Sequence, residues 1–199
     1  MPLPPPLVSQ GIFMRVFKPT KEELAAARGK TVPDLISANL HVLFCGINPG
    51  LYSGAVGHHF ARPGNRFWPV LHAAGFTDRL LSPFEERELL RRGYGITNIV
   101  SRSTANAAEL SLNELQEGAR HLAKTVLKCK PRIVAVLGVE AYRKASGHRD
   151  AVLGPQDKRI GDSVVWILPN PSGINAHYQI KDLAELFKKL KKAAQRGTR

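Results

Sequence analysis

Four short apolar runs constrain the fold of this chain more than any other feature of its sequence. They occupy residues 40–46, 95–100, 132–138 and 164–169. Near-continuous apolar runs of this length are typical of strands that are buried on both faces of a parallel sheet. Because helical patterns lie between the runs, the sequence predicts an α/β fold, in which a mostly parallel central sheet is flanked by helices in a three-layer sandwich.

Capping signals and apolar stripes locate the helices between these strands. Capping boxes at 82–85 and 111–114 predict two helix starts, and Gly93 closes the first of these helices. Further helices are predicted over 65–74 and from about Glu140. The residues expected to face inward are Leu112, Leu115, Ala119, Leu122 and Val126 in the helix after 111–114, and Ile180, Leu183, Leu186 or Phe187, and Leu190 in the last helix.

The chain of 199 residues has the length of one domain. Residues 1–31 are rich in proline and basic residues, and they contain a short helical pattern at 21–28. We expect them to form a loosely packed N-terminal arm. Residues 32–199 are expected to form the single domain, which ends in a lysine-rich helix.

An excess of positive charge indicates a negatively charged partner. The chain carries 29 lysine and arginine residues against 16 aspartate and glutamate residues, a net charge of +13. Such an excess usually faces a polyanion, either nucleic acid or an anionic membrane surface. No apolar stretch reaches the roughly 20 residues that a membrane helix needs, and the N-terminus lacks the pattern of a signal peptide. We therefore expect an intracellular, cytoplasmic protein without a membrane partner, associated with the nucleoid if it is bacterial.

Two cysteines, Cys45 and Cys129, exclude several kinds of site. Two thiols cannot supply a disulfide framework, a zinc site made only of cysteine, or an iron–sulfur cluster held by cysteine. Cys45 lies in an apolar run and Cys129 lies near a predicted helix end, so both are expected to be inert thiols.

Chemistry in parallel α/β sheets gathers at the carboxyl ends of the strands, which directs attention to 46–65, 101–110 and 169–178. The first of these loops opens with the sequence GINPG at 46–50. A turn bounded by glycines leaves backbone N–H groups able to bind a ligand's oxygens, although Asn-Pro and Pro-Gly also occur in plain strand-end turns. The turn is neither a Walker A loop nor a dinucleotide fingerprint, because neither spacing is present.

The loop at 57–68 combines two histidines, two arginines and three aromatic residues with glycine and proline. Aromatic rings beside cations suit a loop that stacks on bases and contacts phosphates. The alternative is a loop that anchors the core, which we expect to hold for Phe67 and Trp68 and to fail for Phe60. The adjacent histidines have no third ligand at a sensible spacing, so no metal site is expected.

The loop at 169–178 follows the fourth strand and carries one apolar residue, Ile174, within a segment stiffened by proline and glycine. Such a side chain can act as a wedge between stacked bases. It can equally be a plug of the hydrophobic core, and the spacing alone does not decide between the two.

Together these segments resemble the mismatch-specific uracil/thymine DNA glycosylase family, which lies within the uracil-DNA glycosylase superfamily. The resemblance extends over roughly residues 32–192 and rests on motifs in the same order and at similar separations. The motifs are GINPG at 46–50, HHF at 58–60, PGNRFW at 63–68, GITN at 95–98 and NPSG at 170–173. The resemblance implies a monofunctional enzyme that flips a base out of duplex DNA and hydrolyses its N-glycosidic bond.

The resemblance implies a role for each residue of the base pocket. Asn48 positions the attacking water, and because an amide cannot take up a full proton it orients the water without acting as a strong base. Other superfamily members carry aspartate at this position. Asparagine in its place predicts a slower chemical step for this chain. Phe60 stacks on the flipped base, and Gly50 and Ser53 line its C5 edge. The remaining pocket residues are Gly46 and Ile47, in the turn whose N–H groups serve the base oxygens, and His59, a candidate polar contact.

A second group of residues is expected to act on the duplex. Ile174 is the wedge that fills the gap left by the flipped nucleotide, and neighbouring backbone groups contact the widowed guanine. The group consists of Ser172, Gly173, Ile174 and Asn175. Ala176 stands where uracil-preferring members carry an arginine, whereas other positions lean toward the thymine-active branch, so the preferred base is left open.

The favoured function is a DNA glycosylase that excises uracil mispaired with guanine and so initiates base excision repair, with thymine and ethenocytosine as further candidate bases. Its partner is double-stranded DNA with a mismatched or damaged base, and it is expected to act as a monomer without a cofactor. The alternative is a non-catalytic, basic nucleic-acid-binding module on the same fold. A nucleotide-binding hydrolase ranks last, because the chain has no P-loop lysine and no clear pair of carboxylates for Mg²⁺.

Overall fold

A five-stranded sheet lies at the centre of the fold in a computed structural model that describes residues 18–173 and 178–196. The strands are β1 (Val42–Gly46), β2 (Tyr94–Asn98), β3 (Ile133–Leu137), β4 (Gly154–Ile160) and β5 (Ser163–Leu168). Their order across the sheet is β2-β1-β3-β5-β4. The pairs β1–β2, β1–β3 and β3–β5 are parallel, and β4 runs antiparallel to β5 at one edge.

Seven α-helices lie in the described ranges. They are α1 (Lys21–Ala26), α2 (Leu51–Val56), α3 (Phe67–Ala73), α4 (Glu88–Arg91), α5 (Leu112–Cys129), α6 (Val139–Ser146) and α7 (Ile180–Arg196). Both predicted capping boxes form, although the one at 82–85 caps a short 3₁₀ turn that precedes α4. None of the helices described is both long and apolar enough to cross a membrane.

Each face of the sheet has its own helices and its own hydrophobic core. Side chains alternate along β1, so that Val42 and Phe44 face α3 and α7, whereas Leu43 and Cys45 face α5 and α6. Phe44 lies at the centre of the first core and stacks on Phe187 of α7. The three-layer α/β sandwich that the sequence predicts is thus confirmed.

The four predicted strands are confirmed, and β4 is an addition to them. Most residues of β4 are exposed, and its sequence, GPQDKRI, has no run of apolar residues. A polar strand at the edge of a sheet is held by its ladder of hydrogen bonds to one neighbour, here β5, and needs no apolar pattern of its own.

Two of the residues expected to face inward are exposed. Leu112 and Ile180 have 56% and 41% of their surface accessible, respectively. Each is the first residue of its helix, where the apolar stripe has not yet reached the sheet. The expectation was therefore wrong for these two residues, although the later positions of both stripes are largely buried.

The second half of the N-terminal segment packs against the domain, contrary to the loose packing expected. A capping box from Thr20 starts α1, and Ala27 just beyond it is fully buried. The Ala27 carbonyl accepts a hydrogen bond from the Ser103 hydroxyl, and Gly29 N–H donates to the Ser103 carbonyl at 3.0 Å. The domain boundary after residue 31 stays a prediction.

Candidate active site

A cleft of about 420 Å³ opens at the carboxyl edge of the sheet, beyond the ends of β1, β2, β3 and β5. The predicted site residues that line it are Gly46, Ile47, Asn48, Gly50, Ser53, His59, Phe60 and Ser172. Gly173 lines a smaller adjoining cavity. The predicted wedge Ile174 and its neighbour Asn175 lie outside the described residues, as does Ala176.

The carboxamide of Asn48 is held in one orientation at the rim of the cleft. Its Nδ2 lies 2.7 Å from Thr104 Oγ1 and 3.1 Å from the Arg102 carbonyl oxygen. The Pro49 carbonyl oxygen is 3.2 Å away. Because carbonyl oxygens only accept hydrogen bonds, the amide nitrogen faces them and Oδ1 faces the other way. Among the described residues Oδ1 has no hydrogen-bond partner, so it remains able to accept from a polar group in the cleft.

The groups that hold Asn48 are themselves fixed by the start of α5. Arg102 Nε donates to Glu114 Oε1 at 2.5 Å, and Glu114 also closes the capping box of α5. The hydrogen bond from Arg102 is the main reason that the pKa of Glu114 falls to about 2. Thr104 donates its hydroxyl proton to the Asn106 carbonyl at 2.9 Å, which leaves a lone pair for Asn48. The loop 101–110, which the sequence places at the carboxyl edge of the sheet, thus holds the Asn48 side chain in position.

Phe60 supplies an aromatic wall of the cleft. Its ring stacks on Phe67, with 4.0 Å between the centroids and 23° between the planes. Phe67 and Trp68 are buried in the core, as predicted. The backbone φ of Phe60 is 53°, in the left-handed region that residues other than glycine rarely adopt. The core therefore supports from behind a ring that the unusual backbone turns toward the cleft.

The rings of the two adjacent histidines have different partners, although the backbone N–H of His59 also donates to Glu86 Oε2 at 2.9 Å. His59 is buried, with its Nε2 3.0 Å from the Pro33 carbonyl oxygen and its Nδ1 3.4 Å from Asn98 Nδ2. His58 pairs instead with Glu86, at 3.0 Å from Nδ1 to Oε1. Burial lowers the pKa of His59, so its ring is neutral at neutral pH. Within 18–173 and 178–196, no group of three or more His, Cys, Asp or Glu side chains is placed to hold a metal ion.

Asn98, the last residue of β2, belongs to the site although the sequence identified it only as part of a matching motif. Parallel pairing sets it beside Gly46, the last residue of β1, and it lines the cleft. A Cβ at Gly46 would lie 2.5 Å from Asn98 Oδ1, so glycine is what leaves room for this amide. The available signal was a polar residue at the end of a predicted strand. Only the strand order, which sets β2 beside β1, shows that this residue reaches the cleft.

Gly50 and Ser53 give the cleft two different boundaries. Gly50 is the exposed N-cap residue of α2, and a Cβ placed there would have no atom within 4 Å. Ser53 is buried, and its Oγ accepts a hydrogen bond from Ala61 N–H at 3.1 Å. The cleft is therefore open at Gly50 and closed by a fixed hydroxyl at Ser53.

Arg66 holds the loop that follows β5. Its guanidinium donates to the Ser172 carbonyl at 2.5 Å and to the Tyr178 carbonyl. Its backbone N–H donates to the Pro171 carbonyl at 3.1 Å. One residue thus binds the described backbone on both sides of residues 174–177.

The cysteines lie in the core. Both are free thiols and both are buried. Burial raises the pKa of the Cys45 thiol and that of Cys129. Both are therefore protonated at neutral pH, which agrees with the expectation of inert thiols.

The fold is that of an α/β protein, and the groups that line its cleft suit one flat ring with polar groups on its edge. Phe60 offers a ring for stacking, and the carboxamide of Asn98 can hydrogen-bond to the edge of such a ring. Asn48 Oδ1 can orient a water molecule at the same cleft.

The chain belongs to the uracil DNA glycosylase superfamily, whose family model matches residues 33–193. The solution NMR structure of a candidate uracil DNA glycosylase from Methanosarcina acetivorans is similar, with a TM-score of 0.55 and 19% sequence identity. The match covers 82% of this chain and 98% of that chain. At this identity the likeness concerns the fold alone. Membership of the mismatch-specific family stays a prediction.

Proposed function

We propose that the protein is a monofunctional DNA glycosylase that excises uracil mispaired with guanine from duplex DNA and so initiates base excision repair. Membership of the superfamily supports a DNA glycosylase. The net charge of +13 supports a polyanionic substrate. The cleft at the carboxyl edge of the sheet supports a site that takes a single base out of the stack.

The orientation of the Asn48 carboxamide carries the proposal. Three acceptors hold its Nδ2, so that Oδ1 is the atom presented to a polar group in the cleft. A water that donates to Oδ1 keeps a lone pair for attack on C1′ of the deoxyribose. A binding module would have no need to fix an amide in this way.

The reaction is a hydrolysis at one carbon atom. The water oxygen forms a bond to C1′ as the C1′–N1 bond breaks, and the bonding electrons leave with the base as an N1 anion. The water's proton passes to solvent, because an amide cannot accept it. The N–H groups of the turn at 46–50 are proposed to stabilise the charge that develops on the base oxygens.

The substrate range is proposed to depend on the space at the C5 edge of the base. Gly50 leaves this edge open, which supports thymine and ethenocytosine as further substrates beside uracil. The fixed hydroxyl of Ser53 narrows the same edge. The wedge role of Ile174, with contacts from Ser172, Gly173 and Asn175 to the widowed guanine, stays a prediction from the sequence.

Incubation with labelled duplexes that hold uracil, thymine or ethenocytosine opposite guanine, followed by alkali, tests the proposal. We expect base release from the G·U duplex, with strand cleavage only after alkali. A binding module would retain the duplex without releasing a base. Borohydride should trap no covalent adduct, because water is the nucleophile, and a trapped protein–DNA adduct would show an amine nucleophile instead.

A further inference from the structure

The imidazole of His59 joins a backbone carbonyl to the amide at the floor of the cleft. Its Nε2 lies 3.0 Å from the Pro33 carbonyl oxygen, and its Nδ1 lies 3.4 Å from Asn98 Nδ2. Only 2% of the residue's surface is accessible. Both ring nitrogens are therefore engaged by the protein itself.

The Pro33 carbonyl determines the tautomer of this ring. A carbonyl oxygen only accepts, so Nε2 must carry the proton that it donates. Nδ1 of the neutral ring is then an acceptor and cannot donate. The atom of Asn98 that faces Nδ1 must consequently be the donor Nδ2, which agrees with the observed geometry.

This series of hydrogen bonds sets the orientation of the Asn98 carboxamide. With Nδ2 bound to His59, Oδ1 lies next to Gly46, at 2.5 Å from the position that a Cβ would take there. In the part of the chain that the structure describes, Oδ1 accepts no hydrogen bond. An acceptor thus stands at the end of β2, in the lining of the cleft.

An acceptor in this position favours bases with an N–H on the facing edge. Uracil and thymine carry a hydrogen on ring nitrogen N3, whereas cytosine has a lone pair there. In 3,N4-ethenocytosine the exocyclic bridge also removes the donor. A carboxamide turned the other way would present Nδ2 and would favour the lone pair of cytosine.

We propose that His59 is a specificity-determining residue that acts through Asn98, because its neutral Nε2–H tautomer holds the Asn98 carboxamide with Oδ1 toward the base. This role rests on the proposed glycosylase function. His59 is a positioning residue here and needs no contact with the base. If His59 were purely structural, its replacement would lower the excision rate of every substrate by the same factor.

Protonation of His59 would reverse the arrangement. An imidazolium donates from both nitrogens, so Nδ1 would require Oδ1 of Asn98 as its acceptor. The charged groups around the ring are Glu86, Asp34 and His58. Burial opposes protonation more strongly than these two carboxylates favour it, which lowers the pKa of His59. Uracil excision should therefore be constant near neutral pH and fall in acid, below the ordinary histidine range.

Single-turnover rates of four single variants and one double variant test the proposal. His59→Leu removes both ring nitrogens and should slow uracil excision roughly tenfold, the loss expected for one misplaced hydrogen bond. It should leave ethenocytosine excision nearly unchanged, because that base has no N–H that could donate to Asn98 Oδ1. His59→Gln, which supplies one donor and one acceptor, should restore most of the uracil rate without the loss in acid. The control is His121→Leu, which removes an exposed imidazole of α5 far from the cleft in sequence and should keep the wild-type ratio between the two bases.

The fourth variant, Asn98→Ala, shows whether His59 acts through Asn98. Adding His59→Leu to Asn98→Ala should slow uracil excision no further, since the amide that His59 holds is already absent. A full multiplicative loss in the double variant would overturn the proposal. So would an equal loss on uracil and ethenocytosine in His59→Leu.

A measurement on the resting protein is independent of activity. ¹⁵N NMR of the imidazoles, with the His59 signals assigned from the His59→Gln spectrum, should show a neutral ring protonated on Nε2 at neutral pH. An Nδ1–H tautomer or an imidazolium would overturn the proposal even in an active enzyme. Absence of base release by the wild-type protein, with the expected tautomer present, would instead contradict the proposed function alone.

Discussion

At the scale of single residues, the surroundings of Asn48 explain why this chain uses an amide at that position. Two carbonyl oxygens and one hydroxyl oxygen surround Nδ2, and all three act as acceptors. A donor is required on that side of the residue, and an acceptor is required on the side of the water. A carboxamide is the side chain of this length that offers both.

Replacing Asn48 with aspartate should therefore slow base excision at neutral pH. A carboxylate would put a negative oxygen within about 3 Å of two carbonyl oxygens, at a cost of roughly 1–3 kcal/mol, or about 5- to 150-fold in rate. The same repulsion raises the pKa of the new carboxyl. The rate of Asn48→Asp relative to wild type should recover as the pH falls through that pKa, because a protonated carboxyl can donate again.

The pH profile of the single-turnover rate on a G·U duplex, measured for both proteins, checks this expectation. The ratio of the two rates removes any acid effect that is common to both. A variant that is faster than wild type at neutral pH would mean that the surrounding acceptors do not constrain residue 48.

The site residues that the sequence identified and those that it missed differ in one physical respect. Asn48 and Phe60 lie in local motifs, in which the neighbouring residues indicate a turn or a loop rich in aromatic side chains. Asn98 and Thr104 contribute through contacts between segments that are far apart in sequence. Those contacts depend on strand order and register, which periodicity does not specify.

At the scale of elements, one side chain holds the loop after β5. Arg66, just before α3, binds the carbonyl oxygens of Ser172 and Tyr178 as well as that of Pro171. Loops carry unpaired backbone carbonyls that must find donors, and a guanidinium can satisfy several at once because its five N–H groups form a planar fork. The position of Ser172 in the cleft lining therefore depends on Arg66.

Arg66→Ala should lower both the stability of the protein and its activity on duplex DNA. Loss of the charge-assisted hydrogen bonds should cost roughly 2 kcal/mol of unfolding free energy. Denaturant unfolding and single-turnover cleavage of a G·U duplex measure the two effects. Arg120→Ala, which removes an exposed arginine of α5, is the matched control. An unchanged unfolding free energy in Arg66→Ala would show that the loop holds its place without this residue.

The elements themselves were predictable to the extent that they bury apolar surface. Strands β1, β2, β3 and β5 each bury apolar side chains, and each was visible as an apolar run. Strand β4 was missed because an edge strand is stabilised by backbone pairing, which leaves no mark on the pattern of side chains. The buried Ala27 after α1 was missed for a related reason, since alanine is equally common on exposed helices.

At the scale of the whole molecule, the topology explains where the site is. Strand β1 lies between β2 and β3, and all three run parallel, so their carboxyl ends meet at one edge. Residues from four strand ends and their loops converge there around a single cleft. The helices on both faces bury the sheet and leave this edge open to a ligand.

The net charge of +13 predicts that binding to duplex DNA depends strongly on salt. Each phosphate contact should contribute a slope of about −0.9 to the plot of log K against log salt concentration. Fluorescence anisotropy with a G·U duplex and with a matched G·C duplex, across a series of salt concentrations, measures this slope. Similar steep slopes for both duplexes are expected, because phosphates carry no sequence information. A slope near zero would show that the positive charge does not face DNA.

The most direct test of the central claim is the single-turnover rate of Asn48→Ala on a G·U duplex, with binding measured in parallel. If Asn48 orients the attacking water, the rate should fall roughly a hundredfold or more while the Kd for the duplex stays close to that of the wild-type protein. Asn113→Ala, at an exposed position of α5, should behave as wild type. Normal binding together with a wild-type rate in Asn48→Ala would contradict the account.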